Sequence, residues 1–198
     1  MPLTPLQRSF FEAPTLEVAQ DLLGCLLVRR LDSGELLVAR IVDLEAYIGE
    51  EDTACHASRG RTPRTEVMYG PAGHAYVYLI YGLHELLNLV TEPQGRPCGI
   101  MLRGLEPYDN EAGMRRLRQA KGRQLSNGPG KLTKALAVTR ELNGLDLTLG
   151  QDLWVAARPP GATFQVEQGP RIGIDYAAEK DRLAPWRFWI ADNPWVGR

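Results

Sequence analysis

The stretch "CLLVRRLDSGELLVARIVDLEAYIG", residues 25–49, decides the fold. Two runs rich in Leu, Val and Ile flank the polar tetrad Asp32–Glu35, and a short Ser-Gly turn between apolar runs favours chain reversal, so the segment reads as a β-hairpin. In its second strand a period of two places Ile41, Asp43, Glu45 and Tyr47 on one face and Val42, Leu44 and Ala46 on the other. One face therefore carries carboxylates beside a ring. A carboxylate in a strand otherwise bound for the core must be paired or must serve as an acid or base.

Working outward, "APTLEVAQDLLG" (13–24) reads as a helix, with Thr15 as N-cap and Gly24 where a left-handed stop is wanted. Residues 50–74 are polar and rich in Gly and Pro, and a loop of that length inside a compact fold is usually functional or disordered. "HAYVYLIYG" (74–82) reads as a strand in which Tyr76, Tyr78 and Ile80 alternate with Val77, Leu79 and Tyr81. "GIMLRGLEP" (99–107) reads as a buried strand interrupted by Arg103. "NEAGMRRLRQAKGR" (110–123) reads as a basic helix, "SNGPGK" (126–131) as a tight loop and "LTKALAVT" (132–139) as a second short helix. Further strands are expected at 152–158, in "PRIGI" (170–174) and at 186–192. Strands and helices mix without regular βαβ alternation, repeat or linker. The expectation is an α+β fold, one domain over 1–198, with 198 residues enough to bury its own core.

No apolar run approaches the roughly 20 residues that span a bilayer, and the opening residues lack a signal peptide's basic start and apolar stretch. A cytoplasmic protein without membrane contact is expected. Cys25, Cys55 and Cys98 fit neither a disulfide framework nor a CxxC pair and read as reduced core residues. A formal net charge of -1 gives no global basic field. The charge is uneven, however: residues 31–55 hold seven acidic side chains against Arg40 alone, and 96–140 hold ten Lys or Arg against three acids. This is either a phosphate-binding face beside an acidic pocket or a pair of solvated surfaces that differ in sign.

Among single residues, Glu45 is the first candidate for chemistry, and Arg103 is its natural partner whether the pair is catalytic or a plain ion pair. His56 follows Glu45 by eleven residues with Asp52 between them. That spacing fits no HExxH, HxH or Cys/His ligand pattern, so no metal is expected. No GxSxG elbow surrounds Ser58, and no lysine near Glu45 suggests a Schiff base. Tyr47, Tyr76, Tyr78 and Tyr81 serve either as sheet packing or as a slot in which a planar base stacks, with Asn88 or His56 supplying discrimination.

Together "DLEAYIGEEDTACHASRGRTPRTEVMYG", "GHAYVYLIYGLHELLNLVT", "IMLRGLEP", "SNGPGKLTKALAV" and "RIGI" resemble the alkyladenine (3-methyladenine, methylpurine) DNA glycosylase family in its shorter bacterial form. The likeness runs in order from about residue 8 to the end. It implies a curved, mostly antiparallel sheet flanked by helices in a single domain. It also implies a monofunctional, monomeric glycosylase that excises alkylated or deaminated purines from duplex DNA in base-excision repair, without metal or nucleotide cofactor.

Carried over by motif, Glu45 matches the general base that activates water against C1′, and Arg103 the arginine that helps hold that water. Tyr47, His56 and Tyr78 match the residues around the flipped base. Asn88 matches the residue that crowds the exocyclic amine of guanine, and Ile172 a backbone position lining the water site. Tyr81 matches the wedge that fills the vacated stack. Arg64, Arg116 and Lys131 are the expected phosphate contacts, the last two within a basic stretch that also holds Arg115, Arg118, Lys121 and Arg123. Asp43, Glu50, Glu51 and Asp52 are expected to be scaffold and loop surface. His74 and the segment between Tyr81 and Asn88 depart from the family pattern, which bears on substrate range. Two other readings use the same residues: a non-catalytic nucleic-acid-binding module that stacks bases on tyrosines, and a nucleosidase-type hydrolase that would need neither Tyr81 nor the basic helix.

Overall fold

The hairpin at residues 25–49 forms the middle of the sheet. In the computed structural model, which describes residues 2–197, β1 (Leu26–Arg30) and β2 (Leu36–Ile48) pair antiparallel, with Leu26 opposite Arg40 and Arg30 opposite Leu36. On its other edge β2 pairs along its length with β5 (Cys98–Asp109). Its C-terminal half then leaves β1 and takes β8 (Arg187–Ile190) as neighbour, through Asp43, Leu44 and Glu45. The order is β3 (Ala75–Ile80), β4 (His84–Thr91), β5, β2, β1, β6 (Leu153–Ala156), with β7 (Val166–Gly169) pairing β8. Every pairing in this eight-stranded sheet is antiparallel.

Two register shifts lie at the change of neighbour. Ile41 faces Leu105 and Asp43 faces Gly104, so Val42 is the extra residue on β2; Leu44 then faces Leu102, so Arg103 is the extra residue on β5. Bulges bend a strand and re-aim side chains, and these two let β2 curve from β1 toward β8. Gly104 is required here, because a Cβ would stand 2.6 Å from the Trp195 carbonyl oxygen.

Helices cover one face of the sheet. α2 (Thr15–Leu22) packs on β2 and β5, and α4 (Pro129–Ala135) on β4 and β5. Between them lies the main core, including Leu22, Leu44, Leu87, Leu89, Ile100, Leu102 and Leu132. α3 (Glu111–Arg118) follows β5 and packs against α4, while the short α1 (Arg8–Phe11) and α5 (Glu179–Leu183) lie at the two ends of the chain. The mixed, antiparallel α+β architecture is the one the sequence implies.

Several details differ from the sequence expectation. Pro14 is the N-cap of α2 and Thr15 its first residue; the Thr15 hydroxyl is used on Glu92 (2.6 Å) and Thr91 (2.9 Å) instead. The helix expected at 132–139 starts at Pro129, whose fixed φ suits a first helical position, and ends before Ala137 at φ 49°. "PRIGI" is not a strand. Pro170 cannot donate to a ladder, Arg171 is drawn to Asp52, and Gly173 turns at φ 78°; the strand lies just before, as β7.

Candidate active site

The sheet lines up the candidate residues in one row. Tyr76 is opposite Asn88, Asn88 opposite Met101, and Met101 opposite Glu45. Directly opposed residues project to the same face, and Tyr47 and Tyr78 join that face two positions along their strands. The face opposite the helices thus carries the rings and the carboxylate. The bulge at Arg103 delivers a guanidinium to it: Arg103 Nη1 lies 3.1 Å from Glu45 Oε1.

Glu45 is fully buried. Its Oε1 also accepts the Ile172 backbone N–H at 2.8 Å, and its Oε2 accepts the Tyr47 hydroxyl at 2.8 Å. Burial pushes the Glu45 carboxyl above the usual range, opposed by the Arg103 charge, the Ile172 N–H and the Tyr47 hydroxyl. A raised carboxylate held by donors is a better proton acceptor than an ordinary one, while the donors fix where its free lone pairs point. Arg103 Nε makes no hydrogen bond to another described protein group although it is buried, so the guanidinium has a donor to spare.

Around this pair the rings form a slot. The His56 ring lies 4.5 Å from that of Tyr78 at 67°, and Tyr76 lies 5.2 Å from Tyr78. His56 Nδ1 and the Tyr76 hydroxyl are 2.9 Å apart. Burial, with Arg64 and Arg59 adding to it, lowers the His56 pKa to about 4, so its imidazole is neutral at neutral pH. Asn88, also buried, donates from Nδ2 to the Tyr76 carbonyl at 3.1 Å and borders a small inner recess behind the rings. Tyr47, His56, Tyr78, Arg103 and Ile172 all face an open cleft of about 930 Å³.

Ile172 is held in place by its neighbour. Arg171 makes a two-pronged ion pair to Asp52 (2.6 and 2.8 Å), donates to the Ala46 carbonyl at 2.9 Å, and stacks its guanidinium between the rings of Tyr47 (4.7 Å) and Trp186 (4.9 Å). Asp52 in turn accepts the Ile48 and Ala54 N–H groups. Removing either partner would strand a buried charge at a cost of about 3–5 kcal/mol. Asp52 is therefore a buried anchor, not loop surface. Asp43 is likewise buried against Arg187, whereas Glu50 and Glu51 are exposed. The sequence reading passed over Arg171; its only signal is an arginine wedged in a short apolar motif, which calls for a carboxylate partner. It also passed over Tyr176, whose hydroxyl is tied to the Ala54 carbonyl (2.9 Å) while its ring faces the cleft.

The β3–β4 hairpin places Tyr81 at its tip, 85% exposed and at φ 53°. A non-glycine residue there is strained and is kept only where the surroundings or the function demand it. Its ring borders the cleft mouth rather than the core.

The family model for methylpurine-DNA glycosylase matches residues 9–194. The chain belongs to that family. It is 50% identical over its whole length to a protein of Methanocella arvoryzae, of which it covers 97%. It is 46% identical to one of Natranaerobius thermophilus (96% of this chain, 98% of the relative) and 44% identical to one of Myxococcus xanthus (98% and 93%). Each of these relatives carries 3-methyladenine DNA glycosylase as its assigned name. The family places the protein among the DNA-repair glycosylases, which are hydrolases.

In this member of the methylpurine-DNA glycosylase family, the cleft rim is basic. Arg118, Lys131 and Lys134 line it on the α3–α4 side, and Arg59 and Arg64 on the side of the long loop. Among the described residues, Lys131 Nζ donates only to the neutral Gln124 and Asn127 side chains, at 2.7 and 2.8 Å. Arg116 stands apart: it lies outside the cleft lining, bound to Glu35 at 2.6 Å. Arg64 is placed over the Tyr78 ring at 4.9 Å, beside the slot. Among the described residues, no three His, Cys, Asp or Glu side chains are grouped to hold a metal ion. Nor is any helix long and apolar enough to cross a membrane.

Proposed function

We propose that residues 1–198 act as one monofunctional DNA glycosylase domain of base-excision repair. It hydrolyses the N-glycosidic bond of alkylated purines, extending to deaminated ones, flipped out of duplex DNA. The observation that carries this reading is Glu45, wholly buried, with Arg103, the Ile172 N–H and the Tyr47 hydroxyl on its two oxygens, all three of these residues lining the aromatic cleft. A structural ion pair has no need of a neighbouring cleft rimmed by rings and unpaired cations.

In the proposed reaction a water held between Arg103 and Glu45 attacks C1′ as the bond to the purine breaks. Its proton passes to Glu45, whose negative charge also stabilises the positive charge developing on the sugar. Tyr47 on one side and His56 with Tyr78 on the other take the base, and Asn88 at the inner end crowds the exocyclic amine of normal guanine. Tyr81 fills the gap left in the stack, where unstacking costs a few kcal/mol and least at damaged sites. Arg118, Lys131 and Lys134 contact phosphates. The substrate class follows the assigned names of the relatives.

Glu45→Gln tests the reading. It keeps the volume and a hydrogen-bonding group but cannot accept the water proton. Binding to a duplex carrying one alkylated purine is expected to persist while base release, followed by alkaline cleavage of the abasic product, falls by at least about 10²-fold. Full excision by this variant would remove Glu45 from the chemistry. A wild-type protein that cleaves free nucleosides as well as modified duplexes would favour a nucleosidase.

A further inference from the structure

The two arginines on the long-loop side of the slot are not neutralised. Arg64 holds its guanidinium carbon 4.9 Å from the centre of the Tyr78 ring, the same ring that His56 meets at 4.5 Å. Arg59 ends the single helical turn begun by His56 and also faces the cleft. Among the described residues neither makes an ion pair, whereas the other two arginines at the slot are matched, Arg103 by Glu45 and Arg171 by Asp52. The base end of the slot is thus positive, and His56, whose basicity burial lowers, lies beside both cations.

Resting on the glycosylase reading above, we propose that Arg64 stabilises the departing base and so weights the pocket toward neutral, deaminated purines. As the C1′–N9 bond breaks, its electron pair moves onto the purine, water oxygen bonds to C1′, and the water proton goes to Glu45. A neutral purine such as hypoxanthine leaves with negative charge, which the Arg64 guanidinium offsets until the purine takes a proton from solvent. A cationic purine such as 7-methylguanine leaves neutral and gains nothing from Arg64. Because Arg64 is largely exposed, water and salt weaken the effect, which is on the order of tenfold rather than thousands.

The test measures single-turnover excision, with enzyme in saturating excess, from two duplexes that differ only in hypoxanthine or 7-methylguanine. For Arg64→Gln the ratio of the hypoxanthine rate to the 7-methylguanine rate is expected to fall about tenfold, and for Arg64→Lys, which keeps the charge, to return toward wild type. An unchanged ratio in Arg64→Gln, with both rates lowered together, would overturn the proposal and make Arg64 a phosphate contact. A wild-type protein that releases 7-methylguanine but not hypoxanthine would overturn it too. One that releases neither would instead strike the glycosylase reading.

Discussion

At the scale of single residues, the proposed reaction rests on the Glu45–Arg103 pair, which would also set its pH dependence. Burial raises the Glu45 carboxyl and Arg103 pulls it back down. Activity needs the ionised form, so it should fall as pH drops through the raised Glu45 value, placing the acid limb of kcat/KM above the roughly 4.3 of an ordinary glutamate. Arg103→Gln removes the opposing cation. The acid limb is then expected to move to higher pH, alongside a lower plateau rate. A lower plateau with an unmoved limb would show that Arg103 positions water without tuning the base. Much of this pair was legible in the sequence, because a Glu and an Arg each interrupt an otherwise apolar strand. What brings them together was not: the extra residue that turns Arg103 toward Glu45 exists only in the pairing of β2 with β5. Arg171 escaped for a related reason, since its partner Asp52 lies 119 residues away.

At the scale of elements, the β3–β4 hairpin is packed along its strands and exposed at its tip. The sequence made β3 plain through its alternating tyrosines. It hid β4, because in "HELLNLVT" the apolar residues come as the pairs Leu86–Leu87 and Leu89–Val90 around Asn88, a pattern without the period of two that marks a strand. At the tip, Tyr81 combines a left-handed backbone with an 85% exposed side chain. Tyr81→Gly separates the two roles a side chain can have there. Glycine adopts that backbone freely, so the melting temperature should hold or rise. Excision from duplex DNA should drop by roughly tenfold or more, because unstacking costs a few kcal/mol and nothing then holds the gap open. The same lesion in single-stranded DNA should suffer less. A lower melting temperature with duplex excision intact would return Tyr81 to a structural role. The hairpin is braced by α4, where the Thr133 hydroxyl donates to the Glu85 carbonyl at 2.8 Å and a Cβ on Gly130 would stand 3.0 Å from His84. The helix that carries Lys131 therefore also braces the hairpin that carries Tyr81.

Across the whole molecule, the near-zero net charge conceals a sorting of cations. Of the ten basic residues between 96 and 140, Arg96, Arg103, Arg115, Arg116 and Arg140 are each matched to a carboxylate. Two of those carboxylates, Glu35 and Glu45, come from the acidic stretch at 31–55, so the two oppositely charged blocks partly cancel within the fold. The five left without a carboxylate among the described residues, Arg118, Lys121, Arg123, Lys131 and Lys134, fall within one short span, and three of them line the cleft. Composition could show the blocks but not which members were neutralised, because that depends on side chains meeting across strands. The sorting predicts how binding should respond to salt. Each phosphate contact contributes about 0.9 to the slope of log K against log salt, so Lys131→Gln or Lys134→Gln should flatten that slope by about this amount, equally for damaged and undamaged duplexes. Arg116→Gln, at a similar exposed position but held by Glu35, should leave the slope nearly unchanged. Equal flattening by Arg116→Gln and Lys131→Gln would mean that DNA competes Arg116 away from Glu35, and that the phosphate track extends along α3 beyond the cleft.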